Sequence, residues 1–539
     1  MAFEDLLPEV GDKGRFQILQ VFFFAIPMIL IGSHFLLENF TAFVPEHRCW
    51  VHFLDNTSAL LNVSGNLNFS SLLKFSIPLD SNGNPEKCRR FFWPQWQSLG
   101  PNVTGQNVSQ LEMEPCVDGW VYDQSIFTSS IVTEWDLVCD SQTLKSFSQS
   151  IFLAGNLVGY LIWGYLSDRF GRKGMLLPNF LMLAVSSTGT AFVQSFPVYC
   201  CFRFLFGSSV TGIMVGSGTL TQEWTTNQHR PMVTVIFTLC FSMGHLFLGF
   251  VAYGIQEWRK FQLVMSAPFF AFFLASWWLP ESARWLIVQN RYDEALKVLT
   301  KVAKINGVKE TTLTIEVRGE GGARAGMWEM VAFQAKPSTL ASKCDGFSAS
   351  PTVCCSFTTG MLFYGFFLDL QNLGSNIQTL QVLFGTSTFL SRFVALFIMT
   401  RLGRRTITAS CLLLAGLFIS ASAFLPRGKR VLSLGQSDLL CPDRGRCLGL
   451  ILMVNRIGAI LAPLVNMLKH YLPALPLIIF AAMAITAGLV VFFFLLETQN
   501  KPMPDTIEDI ECGYRRSGRR GRKKKPESRK PREIIKRRM

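Results

Sequence analysis

Charged side chains are scarce in this sequence. Asp, Glu, Lys and Arg make up 16% of the 539 residues, whereas soluble proteins carry about 25%. Hydrophobic residues make up 49%, and Phe alone occurs 48 times. Such a chain cannot present a mostly water-facing surface, so the composition excludes an ordinary soluble domain and predicts a membrane protein.

Motifs of catalysis and metal binding are also lacking. The chain has six His, and it contains no Walker A loop, no paired metal-ligand spacing and no nucleophile-elbow motif. We therefore expect no enzyme activity, no cofactor and no metal site.

Net positive charge is concentrated in one tail. Residues 515–539 hold 14 Lys or Arg and two Glu, which gives +12 of the net +14. A basic segment of this kind suits nucleic acid as well as lipid. Beside a membrane core, we expect residues 498–539 to form a cytoplasmic basic tail that either contacts anionic lipid or only marks that side, with no nucleic acid as partner.

Eleven apolar runs approach the length of about 20 residues that a membrane-spanning helix needs. They lie at 16–37, 147–166, 174–194, 196–219, 232–253, 260–279, 352–370, 376–400, 406–425, 446–467 and 472–496. The first is too long for a cleaved signal peptide. The sequence thus predicts an all-α polytopic membrane protein with a cytoplasmic N-terminus (1–15), an N-terminal half (16–280), a cytoplasmic linker (281–350) and a C-terminal half (351–497).

A polar insertion at 38–145 separates the first two runs. It contains five N-x-S/T sequons, at Asn56, Asn62, Asn68, Asn102 and Asn107. Five sequons in one loop predict a glycosylated extracellular segment. Its four cysteines, Cys49, Cys88, Cys116 and Cys139, predict two disulfides, and three connectivities remain open.

The stretch GYLSDRFGRK (164–173) follows the second run. We expect Gly164 and Gly171 to allow close approach of helix ends, and Asp168 at a helix end to pair with arginines from another helix in one conformation only, as a conformational latch. The alternative is a charge cluster that only sets topology. The partial repeat TRLGRR (400–405) after the eighth run favours a latch in two related halves.

These residues resemble a known family. The pattern G-x-x-x-D-R-x-G-R-K is similar to the signature loop of the major facilitator superfamily. EWTTNQHR (223–230), PESARWL (280–286) and ETQNKPMPDTIEDIE (497–511) resemble solute carrier family 22, and HFLLENFTAFVPEHRC (34–49) resembles its organic anion transporter branch. The latch then comprises Gly164, Asp168, Arg169, Gly171, Arg172, Glu223, Arg230, Glu281, Arg284, Gly403, Arg404 and Arg405.

The resemblance implies two pseudo-symmetric six-helix halves around a central cavity that opens to alternate sides. It implies amphipathic organic anions as substrates, including steroid sulfates, conjugated metabolites and carboxylates, carried by uniport or by exchange for a counter-anion. It also implies a multi-pass protein of the plasma membrane, on the basolateral or sinusoidal side of epithelial cells.

Two arginines inside apolar runs are candidate substrate ligands. Arg392 and Arg456 lie where an Arg costs about 2.5–3.5 kcal/mol on insertion scales, and no intramembrane carboxylate stands out as a partner. The alternatives are snorkelling and a structural pairing with a carbonyl. By resemblance, Arg456 marks an anion carrier where cation carriers have Asp, and Phe241, Phe363, Tyr364 and His34 match binding positions.

Two segments depart from the family pattern. Residues 318–350 do not resemble its linker, and residues 426–453 replace the tenth span. Six charged residues between 426 and 445 exclude a lipid-crossing helix there. We therefore predict a second half without its tenth span and weak or absent transport, which keeps a transport-dead relative open beside an organic anion carrier. An organic cation or zwitterion carrier is the third alternative, and Arg456 disfavours it.

Overall fold

The computed structural model describes the helical halves and part of the insertion. The described residues are 7, 10, 11, 14–55, 73, 74, 76–80, 83–92, 112–226, 228–308, 349–368, 370, 376–401, 404–424, 448–470, 472 and 474–495. All five sequons, Gly403, the stretch 426–445, residues 318–348 and the basic tail lie outside this set, so the predictions made for them remain predictions.

Six long helices build the N-terminal half. They are α1 (Arg15–Leu36), α2 (Thr143–Phe170), α3 (Arg172–Thr190), α4 (Phe196–Glu223), α5 (Arg230–Gly254) and α6, which has two pieces (Trp258–Ser266 and Pro268–Ser276). Pro268 divides α6 because its nitrogen carries no hydrogen for a helical bond. The Met265 carbonyl, near this break, is 3.1 Å from His34 Nε2.

Five long helices are described in the C-terminal half. They are α7 (Ala349–Phe367), α8 (Ile377–Arg401), α9 (Arg404–Phe424), α10 (Leu448–Met467) and α11 (Leu475–Phe494), with a short 3-10 helix at Leu468–His470. The eleven long helices thus overlie the eleven apolar runs found in the sequence.

Six helical stretches of the described chain are long and apolar enough to cross a membrane. They are Arg15–Thr41, Cys139–Phe170, Phe196–Glu223, Arg230–Gly254, Arg405–Ser422 and Leu475–Phe494. The two pieces of α6 are each too short to span alone. α3 is more polar, since it begins with Arg172 and Lys173 and contains several Ser and Thr.

Glycines set the closest helix contacts within each half. A Cβ on Gly32 of α1 would lie 2.2 Å from the Phe241 carbonyl oxygen of α5, and one on Gly244 of α5 would lie 2.1 Å from the Ile29 oxygen of α1. α7 and α10 repeat this arrangement through Gly360 and Gly458. Since no Cβ fits at these distances, the backbones touch directly.

The described part of the insertion contains two small sheets and two disulfides. Strand β1 (His47–Cys49) pairs with β4 (Trp120–Tyr122), and β2 (Arg89–Phe91) pairs with β3 (Met113–Pro115), both antiparallel. Short helices lie at Glu38–Thr41, His52–Asp55, Ile131–Glu134 and Cys139–Gln142. The disulfides are Cys49–Cys116 and Cys88–Cys139, which settles the connectivity that the sequence left open.

The insertion contacts the N-terminal half through hydrogen bonds and ring packing. Glu134 accepts hydrogen bonds from Trp258 Nε1 (3.0 Å) and from Arg259. Arg259 also donates to the Ala191 carbonyl at 2.7 Å. Trp135 packs on Tyr199 with ring centroids 5.3 Å apart. We call this side of the bundle the loop end.

The opposite side, which we call the linker end, carries two short helices at Ala283–Val288 and Tyr292–Asn306. Asn306 receives a hydrogen bond from the Phe16 backbone nitrogen at 2.9 Å and donates to the Val10 carbonyl at 3.0 Å. The described part of the linker therefore packs against the start of α1.

Candidate functional site

Arg456 lies in α10 at the boundary between the two halves, and it is only 9% exposed. Its Nη1 donates to the Tyr364 hydroxyl of α7 at 2.7 Å, and its Nη2 donates to the Tyr160 hydroxyl of α2 at 3.3 Å. The guanidinium also lies 5.4 Å from the ring centroid of Phe35 in α1. One cation thus contacts three helices, two of them in the other half.

The described side chains that contact Arg456 are uncharged. In the described residues its hydrogen-bond partners are the two tyrosine hydroxyls, and its buried Nε has no partner. A buried cation is costly without an opposite charge. The site therefore favours an anion that approaches the guanidinium.

Aromatic rings surround this cation. Phe363 stacks on Phe367 with centroids 4.2 Å apart and contacts Tyr364 at 5.1 Å. Phe241 lies 5.4 Å from Phe35, which in turn contacts Tyr364. The predicted residues Phe241, Phe363, Tyr364 and Arg456 thus form one cluster, which suits an anion with an apolar body.

His245 belongs to the same cluster and was missed by the sequence analysis. It is 1% exposed, neither ring nitrogen has a described partner, and its ring contacts Phe241 at 5.1 Å and Phe363 at 6.1 Å. Its position one helical turn after Phe241 on α5 was the available signal, because residues four apart share a helix face.

Arg392 lies on α8. Its Nε is buried without a hydrogen-bond partner in the described residues. Of the two predicted arginines, Arg456 of α10 contacts the aromatic cluster, whereas Arg392 lies on α8.

His34 occupies a different place. Its ring lies between Phe206 at 5.0 Å and Phe269 at 5.5 Å inside the N-terminal half, with Nε2 near the Met265 carbonyl. Its neighbour Phe35 faces Arg456 instead. Its described contacts therefore separate His34 from the cluster around Arg456.

The two halves meet above this cluster, at the loop end. Asn39 donates to the Phe367 carbonyl at 2.6 Å, Gln378 to the Ala252 carbonyl at 2.8 Å and Ser150 to the Ile460 carbonyl at 3.1 Å. An apolar layer drawn from both halves and the insertion fills the space between; it includes Leu37, Phe40, Phe127, Leu248, Phe261, Phe367, Ile377, Leu380 and Phe384.

Helices α5 and α8 cross closely in this layer. A Cβ on Gly385 would lie 2.6 Å from the Leu246 nitrogen, and one on Gly249 would lie 2.7 Å from the Val382 side chain. Above the crossing, a cavity of about 220 Å³ is lined by Ser125, Ile126, Tyr253, Gln256, Asn376 and Gln378. The described contacts between the two halves therefore close the loop end.

At the linker end, Arg172 joins the acidic groups of the predicted latch. It donates from Nη1 to Asp168 Oδ1 at 2.5 Å and from Nη2 to Glu223 Oε1 at 3.0 Å. Its side chain is 8% exposed. These contacts connect the ends of α2, α3 and α4.

Glu281 caps the start of α3. Its carboxylate accepts hydrogen bonds from the backbone nitrogens of Arg172 at 2.9 Å and Lys173 at 3.1 Å. Gly171 precedes them with φ 98°, and a Cβ there would lie 2.5 Å from Glu281 Oε2. Glycine is required here both for the left-handed backbone and for the close approach of the carboxylate.

The remaining predicted latch residues are placed differently. Arg230 donates to the Gln222 carbonyl at 3.0 Å, and Arg169 approaches the Tyr165 hydroxyl at 3.3 Å. Arg284 is exposed, and a Cβ on Gly164 would meet open space.

Arg405 belongs to the repeat in the second half. It donates from Nε to the Phe492 carbonyl at 2.9 Å, next to the end of α11. Arg404 begins α9.

Comparison with known proteins agrees with this architecture. The chain matches the family described as "Sugar (and other) transporter" over residues 95–437. It is similar in structure to the xylose transporter XylE from E. coli in an inward-open conformation, with a TM-score of 0.52, 16% identity, and coverage of 69% of this chain and 89% of that one.

Closer relatives cover nearly the whole chain. Human solute carrier family 22 member 11 is 45% identical over 536 residues, which is 95% of this chain and 96% of that protein. The steroid transmembrane transporter SLC22A24 of Microcebus murinus is 45% identical, and human solute carrier family 22 member 12 is 44% identical, each with the same coverage. The chain therefore belongs to solute carrier family 22, a family of multi-pass membrane transporters, and it has the major facilitator fold.

Proposed function

We propose that this protein carries amphipathic organic anions across the plasma membrane, and that it is a transporter without enzymatic activity. The observation that carries the proposal is Arg456, a buried cation whose described hydrogen bonds go to Tyr364 and Tyr160 and to no carboxylate. An anionic headgroup supplies the missing charge, because a charge-assisted hydrogen bond is about twice as strong as a neutral one.

The aromatic cluster recognises the apolar body of the substrate. Phe35, Phe241, Phe363 and His245 lie within one or two ring contacts of Tyr364. Flat apolar bodies such as a steroid skeleton bury large area against such rings. This supports steroid sulfates and conjugated metabolites as the substrate class, and a relative is named a steroid transmembrane transporter.

The loop-end contacts support transport by alternating access. Hydrogen bonds and an apolar layer close that end above Arg456. In this conformation the substrate would therefore enter and leave at the linker end. The Asp168–Arg172–Glu223 cluster, which is the charged part of the predicted latch, then regulates the linker end. Such a carrier works as a uniporter or as an exchanger that returns with a counter-anion.

The test is uptake of a sulfated steroid and, in parallel, of a quaternary ammonium cation in cells that display the protein at the surface. Uptake of the anion alone is expected. Arg456→Ala should abolish it while surface abundance stays normal, because the substitution removes the charge that pairs with the headgroup. Retention of Arg456→Ala inside the cell would indicate a structural role instead.

The apolar part of the site has a matched control within one helix. Phe363 faces the cluster, whereas Phe366 of the same helix packs on Phe480 of α11 at 5.5 Å. We expect Phe363→Ala to raise the KM for the steroid sulfate and Phe366→Ala to leave it unchanged. A correctly displayed wild-type chain without any uptake would instead support the transport-dead alternative, which the predicted loss of the tenth span raised.

A further inference from the structure

The two disulfides of the insertion differ in exposure. Cys49 is 0% exposed and Cys116 is 8% exposed, so their bond is buried. Cys88 and Cys139 are both half-buried, which leaves their bond within reach of a small molecule. The two bonds are close neighbours, since the sulfurs of Cys116 and Cys139 each lie 3.7 Å from the Lys87 carbonyl oxygen. The insertion thus contains an accessible disulfide beside a protected one.

A histidine lies beside the accessible disulfide. A ring nitrogen of His47 and the sulfurs of Cys88 and Cys139 all lie within 4.8 Å of one another. His47 Nδ1 is 2.9 Å from the Pro45 carbonyl oxygen, and because a carbonyl only accepts, Nδ1 carries the hydrogen of that bond. In the neutral ring Nε2 then has the lone pair that can take up a proton.

The surroundings of His47 keep its ring neutral. Burial lowers the pKa of His47 below its usual value, and the Lys87 cation lowers it further. The hydrogen bond with Pro45 and the Glu46 carboxylate act in the opposite direction, but Glu46 is paired with Lys87 Nζ at 2.6 Å. Tyr122 of the adjacent strand β4 contacts the imidazole with ring centroids 5.9 Å apart. At neutral pH His47 is therefore a base rather than a cation.

Cys139 has two features of a good leaving group. Its backbone has φ 54°, in the left-handed region that is unfavourable for most residues other than glycine, so breaking the bond allows the backbone to relax. Cys139 also begins the helical stretch Cys139–Phe170, which contains α2. A thiolate at the start of a helix is stabilised by the helix dipole, and a stabilised thiolate leaves faster in thiol–disulfide exchange.

We propose that the Cys88–Cys139 disulfide is a thiol-exchange site for small soluble monothiols, with His47 as the group that moves the proton. The incoming thiol gives its proton to His47, and its sulfur forms a bond to the Cys88 sulfur. The bond between Cys88 and Cys139 breaks, and its electron pair goes to the Cys139 sulfur, which receives the proton from His47. The product carries a mixed disulfide at Cys88 and a free thiol at Cys139, and the monothiol is the only reagent consumed.

The exchange removes a covalent link between the insertion and a long helix. Cys88 directly precedes strand β2, whereas Cys139 leads into α2, whose Tyr160 contacts Arg456. Modification at Cys88 thus frees the start of a helix that reaches the candidate site. The reaction itself involves residues of the insertion only, so it is independent of the anion transport proposed above.

The test follows the sulfurs of the full-length protein in isolated membranes and requires no transport. Free thiols, which include the exposed Cys201, are first blocked with N-ethylmaleimide. Glutathione is then added briefly at neutral pH, newly freed thiols are labelled with a second maleimide, and the peptides are identified by mass spectrometry. We expect glutathione on Cys88 and the second label on Cys139, with the Cys49–Cys116 bond intact.

Variants separate proton transfer from a structural role of His47. His47→Gln should slow the exchange about a hundredfold at neutral pH, the low end for general acid–base catalysis. The deficit should disappear above the pKa of the monothiol, about 8.5, because the attacking sulfur is then already ionised. His52→Gln is the matched control, since His52 lies in the same insertion against Trp50, and it should react as the wild type does.

If His47→Gln does not fold, the wild type alone decides. Below a pH of about 8.5 its exchange rate should fall less steeply than that of a small model disulfide, whose rate follows the thiolate fraction of glutathione. A wild-type rate that follows the thiolate fraction would overturn the proposal. So would a deficit of His47→Gln that persists at high pH, an equal rate of His47→Gln and the wild type at neutral pH, or an earlier reaction of Cys49–Cys116.

Discussion

The two halves share their helix contacts and differ in their charges. The α1–α5 contact through Gly32 and Gly244 has its counterpart in the α7–α10 contact through Gly360 and Gly458, with the same backbone proximity. At the linker end, Lys173 Nζ donates to the Trp277 carbonyl at 2.6 Å, and Arg405 at the equivalent position of the repeat donates to the Phe492 carbonyl. Packing has therefore been retained in both halves.

The two repeats differ at the position of the acidic latch residue Asp168. In the first repeat, Asp168 precedes Arg169, whereas the second repeat has Thr400 at that position. Arg172 has two carboxylate partners within 3.0 Å. Within the described residues, the comparison therefore shows the same close helix packing in both halves and a charged cluster at the linker end of the first half.

The largest effect is expected at the shared glycines. Gly32→Ala and Gly360→Ala each place a Cβ about 2 Å from a carbonyl oxygen, so the two helices must separate. Overpacking costs about 1–3 kcal/mol or more, and we expect both variants to lose thermal stability in detergent and to reach the surface poorly. Gly218→Ala in α4, where a Cβ meets open space, is the control. A stable Gly360→Ala beside an unstable Gly32→Ala would show that the halves pack differently.

An intermediate effect is expected in the latch. Asp168→Asn should lower the transport rate about tenfold with little change in substrate binding, because the charge pair stabilises one end state and lies far from Arg456 along α2. Thr400→Val in the other half should leave the rate unchanged. The measurement is initial uptake over a range of substrate concentrations. A rise in KM at constant turnover in Asp168→Asn would contradict the latch.

The smallest effect is expected at the equivalent basic side chains. Lys173→Ala and Arg405→Ala each remove a hydrogen bond to a carbonyl near a helix end, which is worth about 1 kcal/mol. Both variants should therefore lower the melting temperature slightly and by similar amounts. A much larger loss for one of them would show that the two repeats differ in packing as well as in charge.

Apolar runs were sufficient to place the helices, because each helix in a membrane must be apolar over most of its length. The sequence singled out Arg456 because an arginine in an apolar run is conspicuous, and it singled out Tyr364 by resemblance to the family. The two side chains are hydrogen-bonded, and their role in substrate binding stays a prediction. Tyr160 and Phe35 were missed because they reach Arg456 from the other half. No local pattern predicts such a contact.

Other features depend on contacts between residues that are far apart in the sequence. No local sequence pattern predicts such contacts. Glu38 and Arg203 form a buried ion pair although they are 165 residues apart, and neither residue alone indicates its partner. Four cysteines allow three connectivities, and only the packing of the small sheets selects Cys49–Cys116 and Cys88–Cys139. His245 was missed because a histidine in an apolar run is also compatible with a core position.

The insertion has a consequence for pharmacology. Its Phe127 packs in the apolar layer, and its Ser125 and Ile126 line the 220 Å³ cavity together with residues of both halves. A small molecule or antibody fragment that occupies this cavity would hold the insertion and the two halves together at the loop end. We expect such a compound to inhibit noncompetitively, since it would stop the carrier without competing with a substrate for Arg456.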